Sequence, residues 1–245
     1  MKRIKLVIEY DGTNYHGFQV QNNAHTVQAE LGQAILKLTG ERVSVISAGR
    51  TDAGVHALGQ VVVFSTSSTI PVDKWKPALN SVLPRDIRVL QSSTVDENFH
   101  PRFSAIKKTY RYIIYRQEEG AVFYRNYAWI NAEKLNIEEM RKAAHFILGR
   151  HDFRSFCSSG SAVKNFERTV TRLDIEEKKP FLILEIEADG FLYNMVRIIV
   201  GTLVEVGKGT YSSEYVKEII ESKDRNKAGA TAPPQGLYLV KVEYL

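Results

Sequence analysis

Apolar and polar positions alternate from the start of the chain. Ile4, Leu6 and Ile8 share one face of the stretch from Lys2 to Tyr10, the period of two expected of a β-strand. Asp11-Gly12-Thr13-Asn14 breaks that strand, and Tyr15 to Gln19 follows as a loop. The spacing changes at Val27, Leu31, Ile35 and Leu38, one stripe of a helix that Thr26 can cap and Gly40 ends. Apolar runs at Val43 to Ser47 and Gln60 to Ser65 read as strands. A second helix passes through Trp75, Leu79 and Val82 and stops before Pro84, and Arg88-Val89-Leu90 starts a fourth strand. The first hundred residues therefore read β-α-β-β-α-β.

The remainder repeats the order. Thr109 to Arg116 alternates as a strand, and Ile137 to Gly149 carries a helical stripe. Thr169 to Glu176 and Phe181 to Glu187 form a strand pair. A long helix is expected from about Phe191 to Val206, a shorter one near Ser213 to Ser222, and a closing strand from Leu237 to Leu245. The pattern predicts an α+β protein of two ferredoxin-like halves, residues 1–104 and 105–245. They are expected to join into one long antiparallel sheet with helices on one face and a central cleft. The halves are not visibly alike in sequence, so this expectation rests on element order alone.

Composition narrows the partners. The 245 residues, 44% hydrophobic, suffice for one large or two small cores, and the formal net charge is +5. Basic residues concentrate where acids are missing: Arg102, Lys107, Lys108, Arg111 and Arg116 fall between Pro101 and Arg116, interleaved with Phe103, Tyr110, Tyr112 and Tyr115. Arg150, Arg154, Lys164, Arg168 and Arg172 form a second basic stretch. Cations alone suit any solvated face, but aromatic interleaving favours RNA or another polyanion. The single cysteine, Cys157, excludes an internal disulfide and a cysteine metal cluster, and fits a cytoplasmic location. The first residues are too charged for a signal-peptide core. The longest apolar segment, Phe191 to Val206, is interrupted by Arg197 and Glu205 and is too short to span a bilayer.

Gly49-Arg50-Thr51-Asp52-Ala53-Gly54-Val55-His56 lies between two predicted strands and carries the most chemistry. Asp-Ala-Gly makes a good turn, and a glycine-flanked carboxylate also makes a nucleophile, a general base or a metal ligand. Alone, the octapeptide reads equally as a turn and as an active loop. No metal is expected, because partner carboxylates and histidines at ligand spacing are missing. Arg197, set among Met195, Val196, Ile198 and Ile199, is expected to be partly buried and hence paired. An ordinary structural ion pair satisfies that; pairing with Asp52 would also keep the carboxylate ionised. Tyr110 on its alternating strand reads as core, and its cationic neighbours also make it a seat for a base.

Tyr10 to Gln19 and Gly49 to Ala57 resemble the N-terminal signature and catalytic motif of the tRNA pseudouridine synthase A family. Phe99 to Ala105, Lys108 to Tyr112, His151-Asp152-Phe153 with Ser155-Phe156, Asn194 to Arg197 and Ala232 to Leu237 also match, in order along the chain. Phe18 stands where the family usually has Trp, and Ser158 to Phe166 is the least family-like stretch. The resemblance implies isomerisation of uridine to pseudouridine at nucleotides 38, 39 and 40 of the tRNA anticodon stem-loop. It implies Asp52 as the catalytic carboxylate, attacking the nucleoside or removing a sugar proton, with Tyr110 stacked on the uracil and Arg197 paired to Asp52. Arg50 would fill the gap left by the extruded nucleotide, while Arg102, Lys107 and Lys108 would hold the RNA. It also implies a homodimer and no cofactor. A non-catalytic RNA-binding protein is the alternative, and a metal-dependent nuclease a weaker one; the first leaves a carboxylate on the glycine loop without a purpose.

Overall fold

The computed structural model describes residues 1–160 and 163–245. In chain order its elements are β1 (Lys2–Tyr10), α1 (Val27–Thr39), β2 (Ile46–Ser47), β3 (His56–Thr66), α2 (Trp75–Val82) and β4 (Ile87–Thr94). There follow β5 (Lys107–Tyr115), α3 (Ala121–Tyr124), β6 (Trp129–Ile130), α4 (Ile137–Ile147) and β7 (Gly149–Asp152). The last are β8 (Glu167–Lys178), β9 (Phe181–Ala188), α5 (Met195–Lys208), α6 (Tyr215–Ser222) and β10 (Leu237–Glu243). The class is α+β, as expected. Met1–Ile106 with Tyr238–Leu245 form one compact unit, and Lys107–Leu237 form another.

In the first unit β1 lies between β4 and β3, antiparallel to both. The other edge of β3 is shared. Ile46 and Ser47 of β2 pair antiparallel with Val63 and Val62, while Tyr238 and Leu239 of β10 pair parallel with His56 and Ala57. The β4-β1-β3-β2 arrangement is that of the predicted β-α-β-β-α-β half. Alternation decides which side of β1 is covered: Ile4, Leu6 and Ile8 are fully buried, and Phe64 and Val62 of β3, opposite Ile4 and Leu6, join them on that face. Val27, Leu31, Ala34 and Ile35 of α1 and Trp75 and Leu79 of α2 are buried too, with Phe64 and Trp75 meeting edge to face at 5.1 Å. Each such fully buried aliphatic side chain is worth roughly 1.5–3 kcal/mol.

Thr26 does stand at the N-cap of α1 in extended conformation, but its hydroxyl makes no cap bond and is buried without a partner. The loop before it does that work. Val27 N–H donates to Gly17 O and Gln28 N–H to Phe18 O, so first-turn donors are met by backbone carbonyls.

The second unit orders its strands β5-β9-β8-β7, all antiparallel, with β6 parallel on β5. Tyr112 lies opposite Leu184 and Ile114 opposite Leu182, all buried. α4 buries Met140, Ala143, Ala144 and Ile147, and Asn136 caps it by accepting from Glu139 N–H at 3.2 Å. Every residue of α5 except Arg197, Glu205 and Lys208 is buried. It begins at Met195, later than the apolar run suggests, because Asn194 turns the chain with φ of 60°. The two strands flanking the glycine loop are also redrawn: β2 is only two residues long, and β3 starts at His56 because His56 and Ala57 already pair with β10. Among the described residues no helix is long and apolar enough to cross a membrane.

Candidate active site

The loop between β2 and β3 is held at nearly every residue. Ala48 N–H donates to Val61 O at 2.8 Å, and the Gln60 side-chain amide donates to Gly49 O at 2.8 Å. Thr51 is buried, its Oγ1 2.8 Å from the Tyr10 hydroxyl, and its carbonyl accepts from Phe18 N–H at 3.0 Å. Asp52 O accepts from Val55 N–H at 3.1 Å, closing a turn around Gly54, whose φ is 76°. Gly54 N–H reaches Tyr15 O at 3.3 Å. Asp52 itself is half-buried and Arg50, two residues earlier, is exposed. The backbone is thus fixed on both sides of the one carboxylate of this loop.

The strand end and loop from Tyr10 to Phe18 form the wall behind it. Two glycines let this wall come close: a Cβ on Gly12 would lie 2.0 Å from Val55 O, and one on Gly17, where φ is +89°, 2.6 Å from Thr51 O. Gly12 N–H donates to Nδ1 of buried His56 at 3.0 Å, which puts the proton of the neutral ring on Nε2. Asp11 Oδ1 lies 3.2 Å from the same nitrogen. The His56 ring stacks on Tyr238 at 4.7 Å, and the Tyr15 hydroxyl donates to Asp86 Oδ1 at 2.7 Å. Burial pushes the Tyr10 hydroxyl up to about 12 against the opposing hydrogen bonds from Thr51 and Gln60.

The residues expected from the second unit divide over two faces of β5. Lys108, Tyr110 and Tyr112 alternate to one face and Lys107 and Arg111 to the other. Tyr110 is buried and meets Phe191 edge to face at 5.0 Å. Lys107 pairs with Glu187 at 2.9 Å, while Arg111 and Arg172 share Glu185. The acids missing from the basic stretch are therefore supplied by β9. Arg197, on the first turn of α5, is half-buried. Its Nε donates to Ala232 O at 2.7 Å and its Nη1 to Asn194 Oδ1 at 2.8 Å. Ala232 N–H returns to Arg197 O at 3.1 Å, so the guanidinium also fastens residues 232 and 233 near Tyr112, whose hydroxyl donates to Pro233 O.

Asp52, Arg50 and Arg102 belong to the first unit, and Lys107, Lys108, Tyr110 and Arg197 to the second. Tyr10, Thr51, Gln60 and Asn194 were not singled out from the sequence for any role at the site. Tyr10 lies inside the quoted signature, but its pairing with a residue 41 positions away leaves no local trace. Of the stretch Ser158 to Phe166, residues 161 and 162 lie outside the described residues. Ser158 is tied to the start of α5 through Tyr193 O and the Asn194 side chain. Among the described residues no group of three or more His, Cys, Asp or Glu side chains is placed to hold a metal.

A family described as tRNA pseudouridine synthase matches residues 6–104 and 143–245. The chain is 60% identical to tRNA pseudouridine synthase A of Syntrophomonas wolfei over 100% of its own length and 98% of that protein's. Against the protein of the same name from Thermoanaerobacter sp. strain X514 it is 55% identical, with both chains covered in full. Against that of Bacillus subtilis it is 48% identical over 99% of each.

Proposed function

The chain belongs to the tRNA pseudouridine synthase family, an isomerase family acting on tRNA, and from that premise we propose that it converts uridines 38, 39 and 40 of the anticodon stem-loop, with Asp52 as the catalytic carboxylate. The observation that carries this reading is the Asp52 turn: a half-buried carboxylate whose flanking backbone is bonded to Tyr15, Phe18 and its own turn. A carboxylate repels phosphate, so a passive RNA binder gains nothing by fixing one so firmly.

The reaction rearranges one nucleoside. The N1–C1′ bond of uridine breaks, the uracil turns, C5 bonds to C1′, the proton leaves C5 and N1 takes one up. A paired uridine hides C1′ and C5, so it is flipped out at a cost of a few kcal/mol. Arg50, exposed beside Asp52, fills the vacated stack. Asp52 opens the glycosidic bond by attack or by removing a sugar proton. Tyr110 stacks on the uracil, and Arg197 is the counter-charge that keeps the carboxylate ionised. Arg102, Lys107 and Lys108 grip phosphates, offsetting the cost of flipping. The enzyme works as a homodimer in the cytoplasm and uses no cofactor.

The test is nucleoside analysis of unmodified tRNA incubated with the protein in EDTA. Pseudouridine at nucleotides 38–40 from the unaltered chain and none from Asp52→Ala is the expected result. Binding without product from the unaltered chain overturns the proposal in favour of a passive binder, and metal-restored strand cleavage in favour of a nuclease.

A further inference from the structure

Phe103 leaves 77% of its surface in solvent. A bare ring on a loose tip would need no explanation, but this tip is bolted down. Arg3 Nε donates to Phe99 O at 3.1 Å, and the Tyr244 hydroxyl donates to Pro101 O at 2.8 Å. Ser104 N–H donates to His100 O at 2.8 Å and Ile106 N–H to Glu243 O at 2.9 Å. The His100 ring is held from below: Arg102 N–H and Phe103 N–H point to its Nδ1 at 3.2 and 3.3 Å. Phe103 lies on that ring at 4.3 Å with 33° between the planes. His100 and Phe103 are thus a tilted aromatic pair, tied to the loop backbone at His100 and exposed at Phe103.

The surroundings select what completes it. Arg102 holds its guanidinium 5.8 Å from the Phe103 ring centre, and Lys5 sits over Phe99 and Tyr244 at 5.8 and 5.7 Å. Residues 99–106 contain no acid. An apolar protein partner would call for a contiguous apolar patch, whereas Phe103 lies against His100 between Arg102 and Ser104, with Ile106, 42% exposed, the one further large apolar side chain of residues 99–106 that is solvent-exposed. A flat ring left 77% in solvent, with a guanidinium held over it, suits a nucleobase with its attached phosphate.

We propose that Phe103, supported by His100 and flanked by Arg102, is a stacking platform for an unpaired nucleobase of the tRNA, outside the pocket of the reacting uridine. This rests on tRNA being the substrate. Arg102 takes the adjoining phosphate, and together they set the register in which the stem-loop is presented.

Binding is measured by salt titration in an Asp52→Ala background, with an unmodified anticodon stem-loop RNA and a blunt RNA duplex lacking unpaired bases. Phe103→Ala weakens stem-loop binding about 10-fold or more, the range of one lost base stack. Phe103→Tyr restores it, Phe103→Leu does not, and duplex binding is the same for all three. Arg102→Ala lowers the slope of log affinity against log salt by about one, and Phe103→Ala leaves it unchanged. Unchanged stem-loop binding by Phe103→Ala overturns the proposal. So does full rescue by Leu, or an equal loss on duplex. Failure of the catalytic reading registers separately, as no pseudouridine from the chain with Asp52 intact.

Discussion

The hydroxyls of Tyr10 and Thr51 lie 2.8 Å apart in a place that solvent does not reach. Tyr10 ends β1 and Thr51 is the residue before Asp52, so the contact couples a central strand of the first sheet to the loop that carries the carboxylate. Tyr10→Phe removes the partner of a buried hydroxyl and is expected to destabilise the fold by about 1–2 kcal/mol. Turnover falls further than stability alone explains, about 10-fold or more, because small displacements of a catalytic group are costly. Denaturant midpoints and single-turnover rates on one preparation check both numbers.

Alkaline pH should unfold the protein through its tyrosines. Burial raises Tyr10, Tyr15, Tyr112 and Tyr244 alike, with the Asp86 bond adding to Tyr15 and the Arg197 charge opposing at Tyr112. The native state therefore keeps protons that the unfolded chain begins to lose near the ordinary value of 10.0. Stability is fully present below that pH and is lost as pH rises through the window up to about 12 and beyond. Tyr10 alone accounts for roughly 3 kcal/mol across it, at 1.36 kcal/mol per unit. Urea midpoints between pH 9 and pH 11.5 should fall steeply, and less steeply in Tyr10→Phe.

Arg197→Lys keeps the charge and loses the fork that reaches Ala232 O and Asn194 Oδ1 together. Two acceptors lose donors, so the second unit weakens by about 1–3 kcal/mol. If the guanidinium also serves the chemistry, kcat drops well beyond this while the KM for tRNA stays within a few-fold. A loss confined to the unfolding midpoint would assign Arg197 to structure alone.

Lys107 and Lys108 should differ although they are neighbours. They point to opposite faces of β5: Lys108 shares its face with Tyr110, the ring proposed to meet the uracil, and Lys107 lies on the other face beside Glu187. Lys108→Ala is expected to lower the salt slope of tRNA binding by about one, and Lys107→Ala by distinctly less. Filter binding over a salt series separates them.

How much of this was legible beforehand depended on the range of the interactions. The alternation in β1 and the stripe of α1 are local and were read from neighbouring residues. β7 has no such signal, since Gly149–Asp152 is short and polar and exists because β8 offers it an edge. Thr26 fits a capping rule, yet carbonyls from residues 17 and 18 took over the donors it would have served. The Lys107 to Arg111 stretch looked uniformly basic, because the acids that balance one face are about 75–80 residues away on β9. Asp52 stood out because chemistry between two glycines is a short-range pattern. The Tyr10–Thr51 and Arg197–Ala232 contacts that give loop and helix their positions are long-range pairings.

One pairing has a meaning for synthesis. Tyr238 stacks on His56 and Leu239 pairs with Ala57, at the strand that leads out of the Asp52 loop. Those partners leave the ribosome about 180 residues apart, so the first unit stays unfinished until Tyr238–Leu245 emerges. A copy cut short by a premature stop or a trimmed tail lacks the clasp beside its carboxylate. The fold thus ties completion of the Asp52 loop to synthesis of the chain as far as Tyr238 and Leu239.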